Sequence, residues 1–374
     1  MDSHPWPFFV IGEGSNMPNL SKQILPHAAV RDSQIELLRI IAMVMMLILH
    51  ANFLGIRVPE YVDFLQDSVN AWSRMGIEAF CIVAVDVFVL ISGWYGIQFR
   101  KCRLVSYIFQ VYFFTFVLYF TSLFFDSELP PTPQYVAHLI IMDPYWFAQS
   151  YLLLYLLSPV LNKMTDYLHH CHAKWSAGTP LLIVIVLYAL VQSIFGWYEN
   201  SRLWGCEGDS VFTFIFLYFV GRWLRLYGYR ITHLPRWIYV SIYFILCLAV
   251  AFMGGRAILH NNADGCFFWY KNTSLPVIVA AISLFLFFQR LSFHNFRVNM
   301  LAASCFSVYL FNCSPSLFEL YKGLSAYFLT MSSGARVLFC AVVLISTYFF
   351  VAVLLDQLRK FLWNIIEENL CVKL

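Results

Sequence analysis

Residues 35–56 read IELLRIIAMVMMLILHANFLGI, and this stretch decides the class of fold. Only Glu36, Arg39 and His50 in it are ionisable. A helix needs about 20 apolar residues to cross the hydrocarbon core of a bilayer, and this run is that long. Nine similar runs follow, at roughly 75–98, 104–125, 144–162, 179–198, 210–227, 236–255, 274–290, 299–318 and 335–356. The sequence therefore predicts an all-α, polytopic membrane bundle with about ten transmembrane helices.

The composition supports a membrane protein and excludes several other classes. Hydrophobic residues make up 60% of the 374 residues and charged residues 12%, against roughly 25% charged residues in an average soluble domain. The net charge of +3 is small and dispersed, so we expect no nucleic-acid partner. No connector between the runs exceeds about 20 residues. Any chemistry must therefore take place among the helices or in short loops.

The distribution of Lys and Arg predicts the orientation, because cytoplasmic loops are enriched in both. Alternate connectors, counted together with the two ends, hold 16 of these residues, and the intervening connectors hold 7. This asymmetry predicts that both termini lie in the cytoplasm. We expect a polar cytoplasmic tail over 1–34, without a signal peptide, a membrane domain over 35–356 and a cytoplasmic C-terminal tail over 357–374.

The ten cysteines do not form a recognisable metal motif. We therefore expect no metal site. Only Cys206 and Cys266 fall in loops on the predicted outer side, where an oxidising compartment could join them. The sequence leaves open whether these two cysteines form a disulfide.

Two ionisable residues in the first span are the first candidates for a functional site, because such groups are costly in a membrane. Arg39 and His50 are eleven residues apart, about three helical turns, so they share one face about 16 Å apart along the axis. Arg39 would lie near the cytoplasmic end and His50 in the outer half. Each also has a simpler interpretation, as an arginine that reaches lipid phosphates and as a packed core histidine.

The second span adds two carboxylates, Glu78 near the outer surface and Asp86 near mid-depth. Either could neutralise Arg39 or orient His50, or could form an interhelical hydrogen bond that only holds the bundle together. Ser92 and Gly93 are small enough to allow close approach of another helix. The basic residues that follow could bind phosphate groups of a ligand or simply mark the cytoplasmic side; they are Arg100, Lys101 and Arg103.

Three residues of later spans can contact a ligand or serve only packing. Trp146 and Gln149 lie in an aromatic band at the start of the fourth span, as membrane interfaces often have. Gln149 can also donate to and accept from a hydroxyl group. Asn312 in the ninth span is most simply a packing amide, with a ligand contact as the alternative.

Several motifs, taken in order, resemble the acyltransferase 3 family of bacterial membrane O-acyltransferases over about residues 33–356. They are ELLRIIAMVMMLILH with Arg39 and His50, VAVDVFVLISGWYG followed by FRKCR, then WFAQSYLLLYLLSPVLN, and GRWLR after the sixth span. The sequence departs from the family at Asn312, where many relatives have a histidine. A second histidine is therefore not assumed. We expect a stand-alone enzyme without an appended hydrolase-like domain.

The resemblance implies a multi-pass enzyme of the bacterial inner membrane, with no permanently bound cofactor. It would move an acyl group, usually acetyl, from cytoplasmic acyl-CoA to a hydroxyl of a cell-envelope carbohydrate or lipid-linked glycan. His50 would act as general base or as a transient acyl acceptor. The resemblance implies roles for His50 and Arg39 and, by extension, for Asp86 and Arg103. On this basis we expect the following site residues: His50, Arg39 and Asp86 for catalysis; Arg100, Lys101 and Arg103 for the donor, with Arg222 or Arg225 helping; and Glu78, Trp146, Gln149 and Asn312 for the acceptor.

Two other functions are compatible with the same residues. In a proton-coupled transporter or flippase of a lipid-linked glycan, Arg39, His50 and Asp86 would form a proton relay. That function predicts internal repeats with paired broken helices, and the sequence has no evident repeat. In a membrane scaffold without catalysis, a buried arginine and histidine would be an unexplained cost. The sequence does not determine the oligomeric state.

Overall fold

The computed structural model describes residues 32–125, 133–170, 178–195, 210–331 and 335–370, and every regular element in these ranges is helical. The helices of the N-terminal half are α1 Ser33–Leu49, a π-helical turn at His50–Ile56, α2 Tyr61–Gln66, α3 Ser68–Cys81, α4 Ala84–Tyr95, α5 Lys101–Phe125, α6 Pro133–Ile140, α7 Trp146–His170 and α8 Thr179–Phe195. Those of the C-terminal half are α9 Val211–Tyr227, α10 Tyr229–Thr232, α11 Arg236–Leu259, α12 Ala263–Trp269, α13 Leu275–Gln289, α14 Phe296–Ala302, α15 Cys305–Asn312, α16 Pro315–Met331 and α17 Ala335–Leu370.

Five helical stretches in the described residues are long and apolar enough to cross a membrane. They are Ser33–Ile56, Ser68–Tyr95, Lys101–Leu123, Arg236–Leu259 and Arg336–Glu367. These stretches match five of the spans expected from sequence. A helical membrane bundle is therefore confirmed. The number of ten spans and the cytoplasmic position of both termini stay predictions, although α7, α8, α9 and α13 overlap four further expected spans.

The expected ninth span, 299–318, is wrong as a single straight helix. The chain runs as a helical stretch from Phe296 to Asn312 and then turns by 87° into a second one that begins at Pro315. Proline has no N–H to donate, and its ring disfavours a helical conformation of the residue before it. The break therefore falls where Pro315 prevents the helix from continuing, and it leaves Asn312 at the end of α15.

The last helix extends beyond the expected membrane domain. Residues 357–370, part of the expected C-terminal tail, continue α17. Arg359 is fully buried, and its Nε atom donates to Asp356 at 2.7 Å. Lys360 pairs with the same carboxylate at 3.2 Å and donates to Ser304 at 2.7 Å. These contacts join the end of α17 to the start of α15.

Helices α4 and α9 cross closely at two glycines, Gly93 and Gly221. A Cβ atom on Gly221 would lie 2.7 Å from the carbonyl oxygen of Leu90, and one on Gly93 would meet the backbone of Tyr218. Small residues let the backbones of membrane helices approach and pack. The close approach expected at Gly93 is thus confirmed.

Among the cysteines, Cys266 lies in α12 as a buried free thiol. It therefore takes no part in the disulfide that the sequence left open. Its possible partner, Cys206, lies outside the described residues.

Candidate active site

His50 is the residue at which the first helix changes its geometry. The chain is α-helical from Ser33 to Leu49, and His50 begins the π turn that ends at Ile56. The following residue, Arg57, has a φ of 114°, which is rare for a residue other than glycine. π-helical turns are uncommon and occur frequently at functional sites. The turn therefore marks this end of the first span as the place to look for chemistry.

The imidazole of His50 is held by the end of α15 and the start of α16. Its Nδ1 atom lies 2.5 Å from the side-chain oxygen of Asn312, and the ring packs edge-on against Phe318 at 5.2 Å. With the Asn312 amide oxygen facing the ring, Nδ1 is the donor, because an amide oxygen only accepts hydrogen bonds. The other nitrogen, Nε2, then carries a lone pair. Asn312 is fully buried, whereas His50 is partly exposed as a residue. In the neutral ring with this tautomer, Nε2 is unprotonated.

The expectation that a carboxylate orients His50 is wrong. Among the described residues, Asn312 supplies the hydrogen bond to the imidazole. Glu78 accepts instead from the side chain of Asn52 and from the backbone of Phe53. Asp86, in the first turn of α4, is fully buried, and its carboxyl oxygens have no hydrogen-bond partner in the described part of the chain. The amide at position 312 thus takes the orienting role that was expected of Glu78 or Asp86.

Arg39 is neutralised by its own helix. Its Nη1 atom lies 2.5 Å from the carboxylate of Glu36, and the side chains are 3% and 5% exposed. The sequence offered a carboxylate of the second span as one alternative for this role; the structure gives Arg39 an ion pair with Glu36 instead. Glu36 was not predicted as the partner of Arg39, although a carboxylate three residues from an arginine is the usual sequence signal for an ion pair on one helix. Arg39 also lies within electrostatic range of the Tyr95 and Tyr151 hydroxyl groups.

The basic residues expected to bind the donor lie around the loop between α4 and α5. Tyr155 ties this loop down: its hydroxyl accepts from the backbone N–H of Arg100 at 2.9 Å. The guanidinium group of Arg222 lies beside Gly96, which has a φ of 76° and would clash with it if it carried a Cβ. Lys101 begins α5. The structure thus brings Arg222 to the basic loop, residues 96–100, which contains Arg100 and leads into Lys101 and Arg103.

Two further bonds fix the same loop, and neither residue that makes them was expected from sequence. Asn162 donates to the carbonyl oxygen of Ile97 at 2.8 Å, and Tyr218 donates to Asn162 at 2.5 Å.

Arg225 of α9 packs over the ring of Trp94, 5.1 Å from its centroid. Tyr95 lies within electrostatic range of both Arg225 and Arg39. The basic loop and Arg39 therefore belong to the same end of the bundle.

The residues expected to bind the acceptor are only partly brought together. Trp146 packs against Phe214, and Gln149 donates to the carbonyl oxygen of Ile141 at 2.7 Å. The backbone N–H of Phe147 donates to the Tyr309 hydroxyl at 3.2 Å. Tyr309 lies three residues before Asn312, so both occupy one face of α15. The start of α7 therefore borders the helix that holds His50, although Gln149 already has a protein partner.

Comparison with known proteins supplies the family. Residues 32–355 match the acyltransferase 3 family, described as an acyltransferase domain. Neither the curated proteins nor the solved structures give a significant match. The family match covers most of the chain and contains α1, the π turn, the basic loop and Asn312, while the roles of the individual residues stay predictions. By this match, the chain belongs to the acyltransferase 3 family and is a membrane acyltransferase.

Proposed function

We propose that the protein transfers an acyl group, acetyl in the first instance, from cytoplasmic acyl-CoA to a hydroxyl of a cell-envelope carbohydrate in the bacterial inner membrane. The observation that carries the proposal is the contact between His50 and Asn312. A neutral imidazole with its proton on Nδ1 can take a proton from a hydroxyl at Nε2.

The reaction needs one nucleophile and one leaving group. The acceptor hydroxyl gives its proton to Nε2 of His50, and its oxygen attacks the thioester carbonyl. The C–S bond then breaks, and the CoA sulfur leaves and takes the proton back from the imidazolium ion. In the second route Nε2 attacks the thioester first and passes the acyl group on. Both routes form an ester and free CoA, and both require the same unprotonated nitrogen.

The end of the bundle that contains Arg39 supplies positive charge for binding the donor. CoA carries several phosphate groups, and arginine and lysine bind phosphate well. Arg100, Lys101, Arg103 and Arg222 surround the loop after α4, and Arg39 lies at the same end of the molecule. Because α1 is a regular helix up to Leu49, Arg39 and His50 are about 16 Å apart along its axis. The donor's thioester arm would extend from the basic loop past Arg39 towards His50.

Transport of a lipid-linked glycan is the second candidate, and one observation favours it. The bent helix pair, α15 and α16, holds Asn312 beside His50, and transporters build their sites from broken helices. Transporters with inverted repeats contain such helices in pairs. The described residues contain one helix pair bent in this way, which supports acyl transfer over transport.

The test is transfer of radiolabelled acetyl from acetyl-CoA to the glycan fraction of the expressing cells, catalysed by the purified protein in detergent micelles. The wild type should label the glycan. His50→Gln should fold and lose about 10²- to 10⁴-fold in rate, the usual contribution of a general base. The matched control is His294→Gln at an exposed histidine, which should behave as wild type. A well-folded His50→Gln protein with near-normal transfer would contradict the proposal.

A reconstituted vesicle assay separates the second candidate. A transporter would move the lipid-linked glycan across the bilayer without acetyl-CoA, and it would leave the glycan unlabelled. An acyltransferase needs the donor and returns free CoA in proportion to the label transferred.

A further inference from the structure

Three side chains tie the π turn to α3. Asn52, in the turn, donates from its amide nitrogen to the carboxylate of Glu78 at 2.9 Å and to the carbonyl oxygen of Arg74 at 2.9 Å. Its amide oxygen accepts from the Nε atom of Arg74 at 3.0 Å. Asn52 therefore uses both ends of its amide, which a carboxylate or a hydrocarbon of similar size could not do.

The same two residues of α3 also hold the backbone of the turn. The backbone N–H of Phe53 lies near the Glu78 carboxylate. The guanidinium group of Arg74 donates to the carbonyl oxygen of Arg57, just after the turn. The turn is thus held near its start by Glu78, through Asn52, and at its end by Arg74. A π turn has no favourable backbone geometry of its own to keep it in place, and these tertiary bonds compensate for that.

The turn begins at His50, two residues before Asn52. On the other side, the hydroxyl of Tyr321 in α16 donates to the carbonyl oxygen of Leu47 at 2.9 Å. The direction of the imidazole therefore depends on α3 at one side and on α16 at the other. A shift of the turn would move Nε2 relative to the reacting groups, and displacements of about 1 Å can cost about 10²-fold in rate.

We propose that Glu78, Asn52 and Arg74 are positioning residues that hold the π turn and thereby aim His50. This inference rests on the proposed function of His50. It replaces the expectation that Glu78 binds the acceptor, because the Glu78 carboxylate is 5% exposed and is engaged by Asn52 and Phe53.

An exchange of the amide of Asn52 and the carboxylate of Glu78 tests the hydrogen-bond network that these two residues form with Arg74. Asn52→Asp places two carboxylates against each other, and Glu78→Gln places an amide nitrogen against a donor. The double variant Asn52→Asp/Glu78→Gln restores the side-chain pairing, since the carboxylate introduced at position 52 would accept from Arg74 and from the amide introduced at position 78, but it leaves the carbonyl oxygen of Arg74 without its donor. Each single variant should lose about 10²-fold in kcat with unchanged KM for acetyl-CoA and for the glycan fraction, and the double variant should regain part of that loss. The matched control, Asn262→Asp at an exposed helix cap, should have wild-type kcat.

An acceptor-binding role for Glu78 gives the opposite pattern. Glu78→Gln would raise the KM for the glycan, leave kcat unchanged and gain nothing from Asn52→Asp, and this result would overturn the inference. If Asn52→Asp does not insert, Asn52→Ala introduces no charge and should still lower kcat at constant KM. Unchanged kcat in Asn52→Ala would also overturn it.

The outcome is separable from that of the proposed function. If His50→Gln is inactive and the variants of Asn52 and Glu78 keep their kcat, only the positioning role fails. If His50→Gln remains active, the proposed function fails, whatever these variants show.

Discussion

The two ends of α1 keep their polar residues in the bundle by different means. Towards its N-terminal end, Arg39 pairs with Glu36 on the same helix, three residues away. At its C-terminal end, His50 bonds to Asn312, which is 262 residues later in the chain. The N-terminal end therefore neutralises a charge locally, whereas the C-terminal end depends on the folded bundle. A side chain that is held by helices distant in sequence can be given a fixed orientation, because the same helices also form the site around it.

Ion pairing between residues of one helix, as between Arg39 and Glu36, recurs in the last part of α17. Asp356 pairs with Arg359 three residues on and with Lys360 four residues on. Cys305, next to Ser304, lies within electrostatic range of Glu36, Arg39, Asp356 and Lys360. Two locally paired ionic groups thus lie near Cys305 at one end of the bundle. At this end the structure stabilises charge, and at the other we propose that His50 acts as a base.

Breaking the local pair should have the largest effect on stability. Arg39→Ala leaves Glu36 buried without its partner, and loss of one member of a buried pair costs about 3–5 kcal/mol. The double variant Glu36→Gln/Arg39→Gln removes both charges and should cost clearly less. Denaturant unfolding of the purified protein in detergent measures both. Equal stability of the single and double variants would show that the pair does not work as a unit.

Breaking the hydrogen bond between His50 and Asn312 should have a smaller effect, and we expect this effect on the rate of acyl transfer. Asn312→Leu leaves the Nδ1–H group of His50 without its acceptor, and an unsatisfied buried group costs about 1–3 kcal/mol. If this free energy disfavours the tautomer with an unprotonated Nε2, kcat should fall roughly 5- to 150-fold. The KM for acetyl-CoA should stay constant. Steady-state kinetics with acetyl-CoA as donor checks both. Unchanged kcat would show that Asn312 only packs against the ring.

The difference between the two ends also explains what could be predicted from sequence. Arg39, His50 and the close approach at Gly93 are visible as polar or small residues in an apolar run, and Glu36 is within one turn of Arg39. The partner of His50 is not visible in this way, because many amides in the chain could reach it and only the fold selects Asn312. The π turn is equally hidden, since Asn52, Arg74 and Glu78 hold it through tertiary bonds. The bend at 312–315 had a signal in Pro315, which the apolar run obscured.

The smallest effect is expected at an exposed pair near the π turn. Partial burial raises the pKa of the Asp63 carboxyl, but hydrogen bonds from Arg57 and from the Glu60 amide outweigh it and hold this pKa below its ordinary value. A lowered pKa in the folded state gives stability at neutral pH that is lost as the pH falls below about 4.

Because the two side chains are 27% and 50% exposed, solvent screening limits the contribution of this pair. Asp63→Asn should lower stability by less than about 1 kcal/mol and leave kcat unchanged. Unfolding at pH 7 and at about pH 3 measures it: the difference from wild type should shrink at the lower pH. A difference that grows there would contradict the assigned sign.

The most direct test of the central claim is the protonation state of His50 itself. Nitrogen-15 NMR of the protein labelled at histidine, in detergent micelles at neutral pH, distinguishes the two ring nitrogens, and the signals absent from His50→Gln identify the residue. We predict a neutral ring with the proton on Nδ1 and an unprotonated Nε2, and we predict that Asn312→Leu disturbs this state. A His50 ring that is charged, or that carries its proton on Nε2, would contradict the claim that Asn312 prepares this residue to act as a base.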